Sequence, residues 1–172
     1  MKVVQINAVC NYGSTGRTVL ELSKYLTNNN IENYVFYGNG HSDYPLAKRL
    51  NTDFGLKVHA LLSRLTGKQG YFSFLHTKRI IKELKKIKPD IVHLRNLHGN
   101  FIHLNMLLKY LGKNDVATVV SLHDCWFYTG HCTTILLKIA KGGKPAVIIA
   151  RAEKMIIPVG FSTKVKQYGK TE

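Results

Sequence analysis

Met1-Lys2-Val3-Val4-Gln5-Ile6-Asn7 runs into Asn11-Tyr12-Gly13-Ser14-Thr15-Gly16-Arg17, and that into Thr18-Val19-Leu20-Glu21-Leu22-Ser23-Lys24-Tyr25-Leu26. The first stretch is a short apolar run and reads as a buried strand. The second, with two glycines and two hydroxyl residues, reads as a tight loop. The third repeats its apolar residues at helical spacing. Strand, glycine loop and helix in that order place backbone N–H groups at a helix start. Such a terminus has unsatisfied donors and partial positive charge, which suits a phosphate or a sugar hydroxyl. A plain tight turn between strand and helix would leave the same trace. The spacing is not G-x-G-x-x-G, and the acidic residue expected about 20 positions later in dinucleotide-binding folds is absent.

Outward from that stretch the same alternation continues. The pattern predicts strands over 2–8, 33–38, 90–94 and 117–122, and helices over 16–29, 54–66, 75–88 and 101–113. Asn28-Asn29-Asn30 ends the first helix, Pro89-Asp90 ends the third, and Lys113-Asn114-Asp115 is a turn. Strands alternating with helices imply parallel pairing through right-handed crossovers, hence an α/β fold with a Rossmann-like parallel sheet and flanking helices. The polar segment 39–53, with Gly40 and Pro45, reads as a surface loop.

In open parallel sheets, ligands bind beyond the carboxyl ends of the strands. That rule gathers the chemistry-bearing residues into three loops. Gly13, Ser14, Thr15, Gly16 and Arg17 follow the first strand. Arg95, Asn96, His98 and Gly99 follow the strand at 90–94. His123, Asp124, Trp126, Tyr128, Thr129, Gly130 and His131 follow the strand at 117–122. The expected crevice takes phosphate or substrate at Gly13–Arg17, Asn96 and His98. His123 and Asp124 are the candidate catalytic pair, because imidazole both donates and accepts and can polarise a hydroxyl. A nucleophilic role for Cys125 has no supporting motif.

Composition sets the outer limits. A chain of 172 residues suffices for one domain with a real core. No uninterrupted apolar run approaches the ~18 residues of a membrane span, and the start reads as a strand, not a signal peptide. Cys10, Cys125 and Cys132 fit a reducing, cytoplasmic setting and have no zinc-ligand spacing. Lys+Arg outnumber Asp+Glu by 25 to 10. The cations concentrate in Lys78–Lys88, where Ile80, Ile81, Leu84 and Ile87 share one helical face and lysines cover the other. That cationic face is either simply solvated or a contact for an anionic membrane or substrate. Nucleic acid fits the charge alone, and the chain carries no reader motif, so none is expected as a partner.

Three motifs carry a family resemblance: V-C-N-Y-G-S-T-G-R at 9–17, P-D-I-V-H-L-R-N-L-H-G at 89–99 and S-L-H-D-C-W-F-Y-T-G-H-C at 121–132. In order and spacing they resemble the N-terminal domain of family 4 glycosyltransferases of the GT-B type. The branch they look most like builds bacterial surface polysaccharides of the colanic-acid kind. Arg95 departs from the H-L-H-N usual in that family. The resemblance implies a metal-independent, cofactor-free transfer from a nucleotide sugar to a glycan or lipid-linked acceptor, with retention of configuration. It implies that this half binds the acceptor, that Gly13 to Gly16 with Arg17 face the donor phosphates, and that His123 sits near the transferred sugar. The nucleotide and a pair of glutamates would belong to a second Rossmann-like half, so the 172 residues alone are expected to be inactive; a catalytically inactive domain that binds a glycan or phosphate in the same crevice, and a basic nucleic-acid-binding module, are the alternatives. Peripheral contact with the inner face of an anionic membrane would bring a lipid-linked acceptor within reach.

After Cys132 the character changes. Residues 133–172 hold eight Lys+Arg and two acids, offer one weak strand at 146–150, and are expected to pack poorly. Codons read one nucleotide earlier account for this. With T in the preceding wobble position, Ala140, Val147 and Ala150 become cysteine, and Gly143 and Gly160 become tryptophan. Residues 139–151 then spell N-C-K-R-W-K-T-G-C-H-N-C-P, similar to the family after its T-G-H-C motif. The tail is therefore expected to be a frameshifted translation of a truncated chain; a genuine basic extension is the alternative.

Overall fold

The computed structural model describes residues 1–124, Trp126 and a strand at 147–150. In chain order the elements are β1 (Lys2–Val9), α1 (Gly13–Asn28), β2 (Glu32–Asn39), β3 (Ala47–Arg49), α2 (Asp53–Thr66), α3 (Phe74–Ile87), β4 (Ile91–Leu94), α4 (Leu104–Lys113), β5 (Ala117–Ser121) and β6 (Val147–Ala150). They build one sheet of order β3-β2-β1-β4-β5-β6. The first five strands in that order are mutually parallel, and β6 pairs antiparallel with β5. This is the Rossmann-like α/β arrangement. Its order reverses between β1 and β4, where Val3 pairs with Asn33 on one side and Ile91 on the other.

Helices cover both faces because successive strand residues point to opposite sides. Val4, Ile6, Val92, Leu94 and Val120 join one core with Ile80 and Leu84 of α3 and Leu107 and Leu111 of α4. Burying such side chains contributes about 1.5–3 kcal/mol each. The opposite face carries Val19 of α1 against Val35 and Tyr37. Here β1 presents Gln5 and Asn7, both fully buried, and the Gln5 amide donates to the Val19 carbonyl at 3.2 Å. A polar row under α1 therefore runs toward the carboxyl end of the sheet.

Several boundaries differ from the sequence reading. The glycine stretch is not a loop before α1 but its first turn. The tight reversal lies earlier, at Asn11 (φ 69°), and the chain enters α1 at Gly13 (φ 65°). The segment 39–53 is not wholly a loop, since Ala47–Arg49 adds a parallel edge strand to β2. Three residues are too few to show alternation, and pairing with the free edge of β2 is what orders them. α4 begins at Leu104, not 101, because Phe101 and Ile102 are drawn into the core and the His103 imidazole caps the helix from the Met106 N–H at 3.3 Å. The strand read over 146–150 is present as β6. The packing of the remainder of 133–172 and the residues Tyr128, Thr129, Gly130 and His131 lie outside the described residues.

Candidate active site at the carboxyl end of the sheet

β1, β4 and β5 are adjacent and parallel, so their carboxyl ends open on one edge, at the point where strand order reverses. α1 starts there. Its first turn holds no acidic residue, and Tyr12 at its N-cap supplies no side-chain bond. The leading N–H groups of the helix thus keep the donor capacity that a helix start leaves unsatisfied. Gly13 has open space where a Cβ would stand. Gly16 is buried, and a Cβ on it would lie 3.2 Å from Val9 Cγ2 and 3.3 Å from the Asn11 nitrogen. Absence of a side chain at Gly16 lets α1 sit close on the end of β1. Ser14 and Arg17 are exposed, and Thr15 is half-buried.

The loop after β4 is locked to β1. The Asn96 N–H donates to Asn7 Oδ1 at 2.9 Å, and the Asn96 carbonyl accepts from the Ala8 N–H at 2.7 Å. Asn96 Oδ1 is buried with no partner among the described residues. Two residues on, His98 Nε2 lies 2.8 Å from Asp124 Oδ2, and the other oxygen of Asp124 accepts from the Trp126 N–H at 2.9 Å. The Trp126 indole N–H donates to Gln69 at 2.8 Å, which joins the loop between α2 and α3 to this wall. Both carboxylate oxygens of Asp124 are engaged. Its place is that of a brace between the loops after β4 and β5, whereas His123 beside it is exposed. Partial desolvation of the ring by its surroundings, followed by the charge of Arg95, holds the His123 imidazole below its ordinary pKa, against a smaller upward pull from Asp124. His123 is therefore a neutral donor-acceptor at neutral pH.

Arg95 and His93 are the residues that sequence reasoning undervalued. His93 lies on β4 and Arg95 is the first residue beyond its end, two positions on and on the same side of the sheet, under α1. Arg95 is only 7 % exposed. Its guanidinium donates to Gln5 Oε1 and the Thr18 carbonyl at 3.3 Å and to Thr18 Oγ1 at 2.7 Å. All three acceptors are neutral, and Arg95 Nε is buried without a partner. This is a cation beneath the first turns of α1 with no carboxylate against it among the described residues. His93 Nε2 meets Ser121 Oγ at 2.8 Å, and burial, then Arg95, then His123 press its pKa down to about 4. A buried arginine directly after the apolar strand Ile91–Leu94 is the signal that marks this cluster.

The carboxyl edge of the sheet thus carries the Gly13–Arg17 turn, Asn96, His98, His123 and Asp124, with Arg95 between α1 and the end of β4. No group of three or more His, Cys, Asp or Glu among the described residues is arranged to hold a metal ion. A depression of about 390 Å³ lined by Thr27, Asn30, Asn33 and Leu46 lies at the opposite end of α1 and shares no residue with the crevice.

Comparison with known proteins places the chain. The family model described as Glycosyltransferase Family 4 matches residues 15–158, running past Cys132, where the motif resemblance ends. One relative is WcaC of Escherichia coli (strain K12), whose name provisionally describes it as a colanic acid biosynthesis glycosyl transferase. It is 23% identical over 145 residues, covering 77% of this chain and 35% of WcaC. The chain spans about a third of the length of that relative. No solved structure matches it. With most of its length matched by the family model and a Rossmann-like sheet beneath the match, the chain belongs to glycosyltransferase family 4.

Proposed function

We propose that this domain forms the acceptor-binding half of a GT-B glycosyltransferase of surface-polysaccharide biosynthesis. It serves transfer, with retention, from a nucleotide sugar to a glycan or lipid-linked acceptor, without metal or cofactor. The observation that carries the reading is that an uncapped, acid-free helix start and a neutral, exposed histidine follow parallel strands at the same carboxyl edge of the sheet.

The chemistry follows from these groups. The α1 N–H donors, with Arg17 beside them, take the donor's phosphate oxygens and stabilise the charge that grows there as the sugar leaves. His123, being neutral, accepts from or donates to a sugar hydroxyl and fixes the ring relative to the attacking acceptor oxygen. Asp124 acts through position, holding the His98 loop and the Trp126 backbone. Asn96 acts through position as well, its backbone tying the loop after β4 to Asn7 and Ala8. A lipid-linked acceptor is reached by peripheral contact with an anionic membrane.

The test is turnover in a protein that carries this chain together with a donor-binding half. There His123→Ala lowers kcat on the order of 10- to 100-fold while thermal stability is kept. Unchanged turnover removes the role of His123. Robust transfer by the 172 residues alone overturns the division of labour between two halves.

A further inference from the structure

Helix α2 packs Leu56 against the core, yet leaves most of its large apolar side chains on the outer face. Its buried residues are His59 and Ser63, whereas Phe54, Leu61 and Leu65 are 78 %, 56 % and 73 % exposed. With Val58 they fall at i, i+4, i+7 and i+11, a single stripe along the outer face. Phe74 and Leu75 at the start of α3 are exposed as well. Of the ten large apolar side chains exposed among the described residues, seven lie between Phe54 and Leu75. Scattered exposed apolar residues are ordinary, but a contiguous stripe marks a contact surface.

The charge around the stripe tells what covers it. From Phe54 to Arg79 the chain carries five Lys or Arg and no Asp or Glu. Lys57 and Arg64 border the stripe on α2, and Lys78 Nζ lies 5.0 Å from the centre of the Phe74 ring. A second copy docked face to face would set these cations against each other. An anionic surface pairs with them while the apolar side chains leave water. The basic face of α3, read from the sequence as either solvated or a contact for an anionic membrane or substrate, presents exposed lysines while its apolar residues Ile80 and Leu84 are buried in the core. It has charge but nothing to insert.

We propose that the outer face of α2, continued by Phe74 and Leu75, is an interfacial surface that seats the protein on an anionic lipid bilayer. This rests on the peripheral contact proposed above and names the surface that makes it. The helix lies in the plane of the interface, with the stripe below the headgroups and Lys57, Arg64 and Lys78 among the phosphates. No helix among the described residues is long and apolar enough to cross the bilayer, so contact is by one face only.

The experiment is co-sedimentation of the full 172-residue chain with vesicles of phosphatidylcholine, with and without about one third phosphatidylglycerol. Three proteins are compared: the native chain, a stripe variant (Phe54→Gln, Leu61→Gln, Leu65→Gln) and a basic-face variant (Lys82→Gln, Lys85→Gln, Lys86→Gln). Glutamine keeps helix propensity, and far-UV circular dichroism checks the fold. The native chain is expected to bind the anionic vesicles, with the stripe variant weaker by more than about tenfold and the basic-face variant changed much less. Loss in the basic-face variant with the stripe variant unaffected keeps the membrane contact and overturns this surface. Failure of the native chain to bind vesicles overturns both, and a dimer in solution that the stripe variant abolishes would then assign the face to a second copy.

Discussion

Lowering the pH should destabilise this domain well before its carboxylates titrate. His59 is buried, its Nδ1 held by Ser73 and its edge against Phe72, and burial holds its pKa down to about 4. His93 is held to about 4 as well. An unfolded histidine titrates near 6.5, so the unfolded chain binds more protons between those values. The stabilisation is complete above about pH 6.5 and is lost as pH falls toward about 4. At about pH 5 an unfolded histidine is almost fully charged, while one held near 4 is about nine-tenths neutral. Linkage then gives about 2 kcal/mol lost per group between about pH 7.5 and about pH 5, or roughly 3–4 kcal/mol for the two. His76, His103 and His123 are shifted in the same direction and add to the loss. Against a typical total of about 5–15 kcal/mol this is a large fraction. Urea unfolding at the two pH values measures it, with the fluorescence of Trp126, the single and buried tryptophan, as reporter. His59→Gln should remove about half of the pH slope. A stability that is flat or rises between about pH 7.5 and about pH 5 would refute the reasoning.

Other perturbations read other contacts. Gly16→Val forces a branched side chain into a gap already at 3.2 Å from Val9. It should cost about 1–3 kcal/mol in the same unfolding assay. Arg95→Met removes the charge beside His93 and His123, so both imidazole pKa values should rise in a titration followed by NMR; unmoved values would mean that Arg95 does not act on the crevice. For the segment after Cys132, DNA sequencing should find T in the wobble positions preceding codons 140, 143, 147, 150 and 160, and other bases would remove the frameshift proposal.

Much of the frame was legible because it rests on local pattern. The run Val3–Ile6 and the 3.6-residue repeat through Leu26 are strong enough to place β1 and α1 unaided, and the alternation that follows implies parallel pairing. That Gly13–Arg17, Asn96, His98, His123 and Asp124 lie at one edge of the sheet was legible through topology, since each follows a parallel strand. What escaped depends on contacts distant in sequence. β3 exists only because the edge of β2 was free. The Asp124 brace joins residues 26 positions apart in the chain, and only the fold brings His98 to it. Arg95 looked like a departure from a motif, and its meaning lies in Thr18 and Gln5 on neighbouring elements. The outward apolar stripe of α2 was hidden because apolar spacing marks an amphipathic helix without saying which side meets the core.

The central claim is that one crevice at the carboxyl ends of β1, β4 and β5 receives the sugar donor's phosphates and the sugar together. Backbone amide NMR of the 172-residue chain, titrated with inorganic pyrophosphate and then with nucleotide sugars, tests it most directly. The amides of Gly13 to Arg17 should shift with either ligand, and those of His98 and His123 should join them when the sugar is present. Shifts confined to the depression at Thr27–Leu46, or spread over the lysines of α3 with the turn at Gly13 unmoved, would contradict it.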